Sequence, residues 1–230
     1  MKVSDNFFRA VCDYRYLLER DYPQKSMLKL VGDRYALPAA ERVMLYRGLA
    51  TEDQVKNRKE KVIRQLPPHT RITIDGFNVC RTVGSYLNGN PVFVGMDGLL
   101  RDVSELHRKK LKWEVLEKAV DFILQFLAEK QIASAWFYFD TPISHSGKMC
   151  ALVNSRLPHY RLSGTAETVF SPDYELIQTT KGILCTADSN IIENAQVKVY
   201  DLAHQLILER FSAKLFSFPE YLLNKKEEQC

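Results

Sequence analysis

Long apolar runs are missing from this chain. Nothing in its 230 residues approaches the length of a membrane-spanning helix, and the opening Met1-Lys2-Val3-Ser4-Asp5 lacks the apolar stretch of a secretion signal. A cytoplasmic protein with no membrane partner is therefore expected. Cysteine is scarce: Cys12, Cys80, Cys150, Cys185 and Cys230 are odd in number, scattered, and show none of the paired spacings of zinc sites or disulfide frameworks. Glycine is sparse too, and Gly84, Gly89, Gly95 and Gly98 lie too far apart for a dinucleotide fingerprint. No Gly-x-x-x-x-Gly-Lys-Ser/Thr occurs, which excludes a P-loop. His107, His159 and His204 have neither metal nor triad spacing and read as structural.

What the chain does have is apolar content of 46%, enough for a real core, and an uneven charge. Up to His69 there are 14 Lys and Arg against 9 Asp and Glu, while the remainder carries 18 against 19. A basic segment that grips a polyanion, followed by a part that works on it, would divide charge this way. Ordinary solvated helix faces would do so as well.

The rhythm of the chain changes at Leu66-Pro67-Pro68-His69. Before it, the pattern is helical. Val11, Tyr14, Leu17 and Leu18 share one face, and Met27, Leu28, Leu30 and Val31 follow Pro23 in a helix that Gly32-Asp33 should break. Pro38 opens a third helix, and Thr51 caps a polar fourth that carries Lys56, Arg58, Lys59, Lys61 and Arg64. No strand is expected up to residue 66. After the prolines, strands alternate with helices, which implies a parallel sheet covered on both faces. The expectation is an α/β fold over residues 70–230, with a small all-α domain over 1–66. A loop-rich stretch should run from Val83 to Val103, and the tail from Lys225 to Cys230 should fray.

Three β-prone runs end on aspartate: Arg71-Ile72-Thr73-Ile74-Asp75, Ala135-Trp136-Phe137-Tyr138-Phe139-Asp140 and Gly182-Ile183-Leu184-Cys185-Thr186-Ala187-Asp188. In a parallel sheet these ends share one edge, where open α/β folds place their ligands. Carboxylates gathered there repel one another unless cations sit between them. Hard ions such as Mg²⁺ or Mn²⁺ take oxygen ligands and leave positions for water and phosphate. Each residue also has a plainer reading. Asp75 and Asp188 would N-cap the next helix, Asp140 would serve a turn, and Asp173 after Pro172 suits a helix first turn. Ser144-His145-Ser146-Gly147-Lys148 offers hydroxyls and a cation at the same edge. It would either bind a substrate phosphate through Ser144, Ser146 and Lys148 or form a polar turn.

Asp75-Gly76-Phe77-Asn78, Phe139-Asp140, Pro172-Asp173 and Thr186-Ala187-Asp188 together resemble the motifs of PIN-like nucleases, especially their NYN branch, across roughly residues 70–205. The N-terminal segment, with Asp13-Tyr14-Arg15-Tyr16-Leu17-Leu18 and Leu30-Val31-Gly32-Asp33-Arg34-Tyr35, resembles an uncharacterised prokaryotic helical domain that occurs joined to such a unit. The resemblance implies a PIN-like sheet in which Asp75, Asp140, Asp173 and Asp188 hold Mg²⁺ or Mn²⁺ for phosphodiester hydrolysis. It implies helper roles for Asn78 and Thr186, and nucleic acid, with RNA favoured, as the partner. Lys56 and Arg58 would add substrate contacts. A further acidic residue is common in that family, and Asp97, Asp102 and Glu105 compete for the place. Phe77 speaks against a haloacid dehalogenase, which needs a second aspartate there. An inactive PIN-like binding module and a small-molecule phosphohydrolase remain as alternatives, and self-association is left open.

Overall fold

The computed structural model describes residues 2–103, 111–141 and 143–227. Four helices come first: α1 (Phe7–Leu18), α2 (Gln24–Arg34), α3 (Ala39–Gly48) and α4 (Glu52–Lys61). They are followed by β1 (Val62–Ile63), β2 (Arg71–Asp75), α5 (Gly76–Leu87), β3 (Val92–Val94), β4 (Leu100–Asp102) and α6 (Trp113–Glu129). The chain continues through β5 (Ser134–Asp140), α7 (Ser146–Arg156), β6 (Ser163–Val169), α8 (Pro172–Ile177), β7 (Ile183–Cys185) and α9 (Ser189–Asn194). It closes with β8 (Val199–Tyr200), α10 (Leu202–Phe211), β9 (Phe216–Ser217) and α11 (Phe218–Glu227). Among the described residues no helix is long and apolar enough to cross a membrane.

Two compact units divide the chain, and the division differs from the expected cut near residue 66. The first takes in Met1–Lys59, Asn90–Lys110 and Lys214–Cys230; the second takes in Glu60–Gly89 and Leu111–Ala213. The first unit is not all-α, because β4, β3 and β9 form a three-stranded sheet, antiparallel between β3 and β4 and parallel between β3 and β9. Its core joins Phe7, Val11, Tyr14, Met27, Val31, Met44 and Leu45 to Phe93 and Phe218. Each such side chain contributes about 1.5–3 kcal/mol on burial. The rings of Phe7 and Phe93 both lie within about 6 Å of the Phe218 ring (5.9 and 6.0 Å between centroids), so the C-terminal stretch is helical rather than frayed through Glu227. α2 runs through Gly32 to Arg34 rather than breaking at Gly32-Asp33, and it buries Met27 and Val31 while Leu30 is 63% exposed. α4 begins with a reciprocal cap: the Gln54 amide donates to the Thr51 hydroxyl (3.3 Å) and the Thr51 amide to the Gln54 side-chain oxygen (3.1 Å).

The second unit is built on a six-stranded parallel sheet in the order β1-β8-β7-β2-β5-β6, flanked by helices. β5 alternates cleanly, with Ala135, Phe137 and Phe139 buried between half-buried neighbours. From β2 the chain steps outward to β5 and β6, then returns to β2's other side for β7 and β8. The strand order therefore reverses between β2 and β7, and a crevice outside the carboxyl ends is the ligand position such reversals create. Two elements depart from expectation. β1 is a strand before residue 66, and β6 is a full edge strand in a stretch of Ser, Gly, Thr and Glu. Gly164 permits β6: with φ of +139° it lies so close to β5 that a Cβ would collide with the Ala135 carbonyl. The stretch from Val83 to Val103, expected as loop, holds the end of α5 together with β3 and β4.

Candidate active site at the carboxyl edge of the sheet

Asp75 is the last residue of β2 and the N-cap of α5, so one carboxylate ends a strand and starts a helix. Its Oδ1 accepts from the Asn78 amide (3.3 Å) and its Oδ2 from the Thr186 hydroxyl (3.0 Å), a residue 111 positions away. Thr186 Oγ1 in turn accepts from the Asp188 amide (3.1 Å), and the Ala187 amide donates to Asn78 Oδ1 (3.1 Å). Two of these four bonds, Thr186 to Asp75 and Ala187 to Asn78, tie the β2–α5 junction to the segment leaving β7 across the strand reversal, and the other two brace each side. Gly76 is required beside them, since a Cβ there would lie 2.5 Å from the Phe139 ring. Asp188 lies three residues past β7 and caps α9, its Oδ1 accepting from the amides of Asn190 (2.9 Å) and Ile191 (3.1 Å). Asp75 and Asp188 thus both serve as N-caps, the plainer of their two readings.

Asp140 ends β5, the other neighbour of β2, and Asp173 lies in the first turn of α8, whose N-cap is Ser171. The charges reveal the grouping. Burial pushes the Asp75 carboxyl up to about 7. The Thr186 and Asn78 hydrogen bonds oppose that rise, while Asp188 and Asp173 add to it. Asp173 is likewise raised, by burial and then by Asp188 and Asp140. Among the described residues no basic side chain figures among the leading influences on either. Four carboxylates therefore share one electrostatic neighbourhood, a donor set of hard oxygens suited to Mg²⁺ or Mn²⁺. Among the described residues no three His, Cys, Asp or Glu side chains close around a single metal-sized position, so the convergence expected of the strand ends is electrostatic rather than a finished cage. Cys80 on α5 is buried and its thiol is pushed up to about 12 by burial and Asp75, which removes it as a nucleophile.

The remaining expected site residues scatter. Ser146, first in α7, is buried with its hydroxyl donating to the Thr141 carbonyl (3.4 Å), while Ser144 is exposed. Lys148 is exposed, and its Nζ lies 4.8 Å from the centre of the Trp113 ring. Lys56 is exposed on α4, whereas Arg58 is buried and paired with Asp97 at 2.9 Å, so it does not offer a phosphate contact. Lys61 also serves structure, donating to the carbonyls of Glu193 (2.7 Å) and Ala195 (3.0 Å) at the end of α9. Asp97 and Asp102, two candidates for the further acidic residue, are both paired with arginine. Asp97 is clasped by Arg101 and Arg58, which outweigh burial and hold its carboxyl below the usual range, and Asp102 pairs with Arg47 at 2.9 Å. Glu105, His107, Arg108, Lys109 and Lys110 lie outside the described residues. The expected set omits two exposed aromatics, Phe170 and Tyr174, on either side of the start of α8. Only their exposure distinguishes them, and exposure is not written in the motif Phe170-Ser171-Pro172-Asp173-Tyr174.

Fold and site together define a parallel α/β protein with an acidic carboxyl edge at its strand reversal. The chain belongs to the family described as Domain of unknown function (DUF5616), whose model matches residues 68–205, the stretch that holds all four carboxylates. Residues 6–61 match Protein of unknown function (DUF434). An uncharacterised protein of Methanocaldococcus jannaschii is similar along most of the chain, 30% identical over 202 residues, which is 86% of this chain and 95% of that protein. No solved structure matches.

Proposed function

We propose that this chain is a cytoplasmic, metal-dependent hydrolase of phosphodiester bonds, a nuclease of PIN-like type with RNA as its favoured substrate. The observation that carries the reading is Asp75: a buried carboxylate at the strand reversal, bonded through Thr186 to the backbone of Asp188, with the charges of Asp173 and Asp188 pressing on it. Repulsion of this kind is retained where a cation is to be bound. Asp75, Asp140, Asp173 and Asp188 would hold it. Mg²⁺ needs only one or two direct carboxylates and keeps several waters, so an open acidic edge fits it without a closed cage. When bound, the ion supplies an acidified water and neutralises charge on the phosphoryl oxygens.

The chain's own residues do the positioning. Thr186 fixes the Asp75 carboxylate through its hydroxyl. Asn78 fixes the segment after β7 through the Ala187 amide, so that Asp188 projects from a tethered turn. Exposed Lys56, Lys59 and Arg64 supply attraction for a polyanion. RNA rather than DNA rests on the family resemblance. The test is cleavage of a labelled single-stranded RNA with Mg²⁺ or Mn²⁺. Asp75→Asn and Asp188→Asn should each lower the rate by a factor of a hundred or more while remaining folded, and chelation should abolish it. A fully active, folded Asp188→Asn variant removes the assignment and leaves a binding module.

A further inference from the structure

We infer that Phe170 and Tyr174 form a base-stacking subsite beside the carboxylate edge, one that admits single-stranded and not duplex nucleic acid. The inference rests on the hydrolase reading, since it places a base next to a phosphate held at that edge. β6 delivers Phe170 there. Its last residue, Val169, is in register with Asp140, and the Val169 carbonyl accepts from both the amide and the hydroxyl of Thr141, each at 2.8 Å. The next residue is Phe170, 87% exposed. Ser171 then caps α8, and Tyr174, 62% exposed, follows Asp173 directly.

Single exposed apolar residues are ordinary. Here two aromatic rings lie within five residues, on either side of one of the four carboxylates. Among the described residues neither ring takes part in a ring pair or a cation contact, and both side chains are largely open to solvent. The charge around them chooses the ligand. Asp173 and Glu175 flank Tyr174 in sequence and Glu167 lies three residues before Phe170 on β6, and carboxylates repel phosphate. An uncharged aromatic base is what these rings can accept, with the nucleotide's phosphate directed to the cation site. Stacking of this kind tolerates any base and requires an unstacked one, whereas duplex bases already stack on their neighbours.

The test uses the unaltered full chain with Ca²⁺ in place of Mg²⁺, so that the cation site stays filled while substrate is not consumed, and a fluorescein-labelled single-stranded oligoribonucleotide read by anisotropy. The same strand in a duplex is the comparison. Phe170→Ala and Tyr174→Ala should each weaken single-strand binding roughly five- to hundredfold. Phe170→Trp and Tyr174→Phe should retain it, Phe170→Leu should not, and weak duplex binding should be unmoved. Unchanged single-strand affinity in the doubly substituted Ala protein overturns the subsite, as does full rescue by Leu. So does a fall in oligomeric size with affinity intact, which would make the rings a contact between copies of the chain. If no oligonucleotide binds, the subsite also falls, and the hydrolase reading is then judged separately by whether Asp75→Asn abolishes cleavage of a small phosphodiester by the otherwise unaltered chain.

Discussion

Replacing Asp75 with asparagine should stabilise the protein at neutral and alkaline pH, and the size of the effect follows from the site. Burial and neighbouring carboxylates raise the Asp75 pKa from an ordinary 3.8 to about 7. Below pH 3.8 the group is neutral in both folded and unfolded chains and favours neither. Between 3.8 and 7 the unfolded chain ionises while the folded one keeps its proton, so stability falls with rising pH by about 1.4 kcal/mol per unit. Above 7 both are ionised and the loss levels off at about 4 kcal/mol. The Asn78 amide can still donate to the side-chain oxygen of the introduced asparagine, but the Thr186 hydroxyl would meet an NH₂ group, at a cost of about 1–2 kcal/mol. The net gain at pH 8 is about 2 kcal/mol, or roughly 4–8 °C in melting temperature for a chain of this size. Near pH 5 only about 1.6 kcal/mol of the loss has developed, so variant and parent should melt within about 1 kcal/mol of one another. The assay is thermal denaturation of both proteins from pH 5 to 8 in chelator. A difference that does not change with pH, or a variant less stable at pH 8, refutes the reasoning.

Thr186→Val keeps shape but strips Asp75 Oδ2 and the Asp188 amide of their shared partner, and should cost about 2 kcal/mol in denaturant unfolding while raising the Asp75 pKa further. Asp97→Ala leaves the buried guanidiniums of Arg58 and Arg101 without their carboxylate, and should destabilise by about 3–5 kcal/mol in the same assay. Reversing the exposed charges Lys56, Lys59 and Arg64 to Glu should leave the melting temperature near the parent's and flatten the salt dependence of RNA binding, because those residues release counterions from phosphates they contact. An unchanged salt slope would assign the basic segment another role.

The strand-end aspartates were legible because they close apolar runs of strand length, and the parallel sheet carries them to one edge. The bond from Thr186 to Asp75 was not, since it joins residues 111 apart and depends on β2 and β7 lying side by side. β6 escaped because an edge strand wet along much of its length needs no apolar run: Ser163, Gly164, Glu167 and Thr168 are all exposed. The first unit's composition was hidden for a related reason. Phe93 reads as part of a loop, and nothing in the pattern assigns Phe218 to an element, until the core around Phe7 and Tyr14 draws them in. Arg58 looked like one more surface cation on a polar helix. Its burial follows from Asp97, 39 residues on, and no helical periodicity contains that partner.

An acidic edge that serves a divalent cation should bind one in solution. The most direct measurement is a Mn²⁺ titration of the full chain, with free ion followed by electron paramagnetic resonance, repeated on the doubly substituted Asp75→Asn, Asp188→Asn protein. Saturable binding by the parent is expected, with affinity lower by tenfold or more in the variant and with Mg²⁺ displacing Mn²⁺ from the parent. Equal binding by the two folded proteins would contradict it.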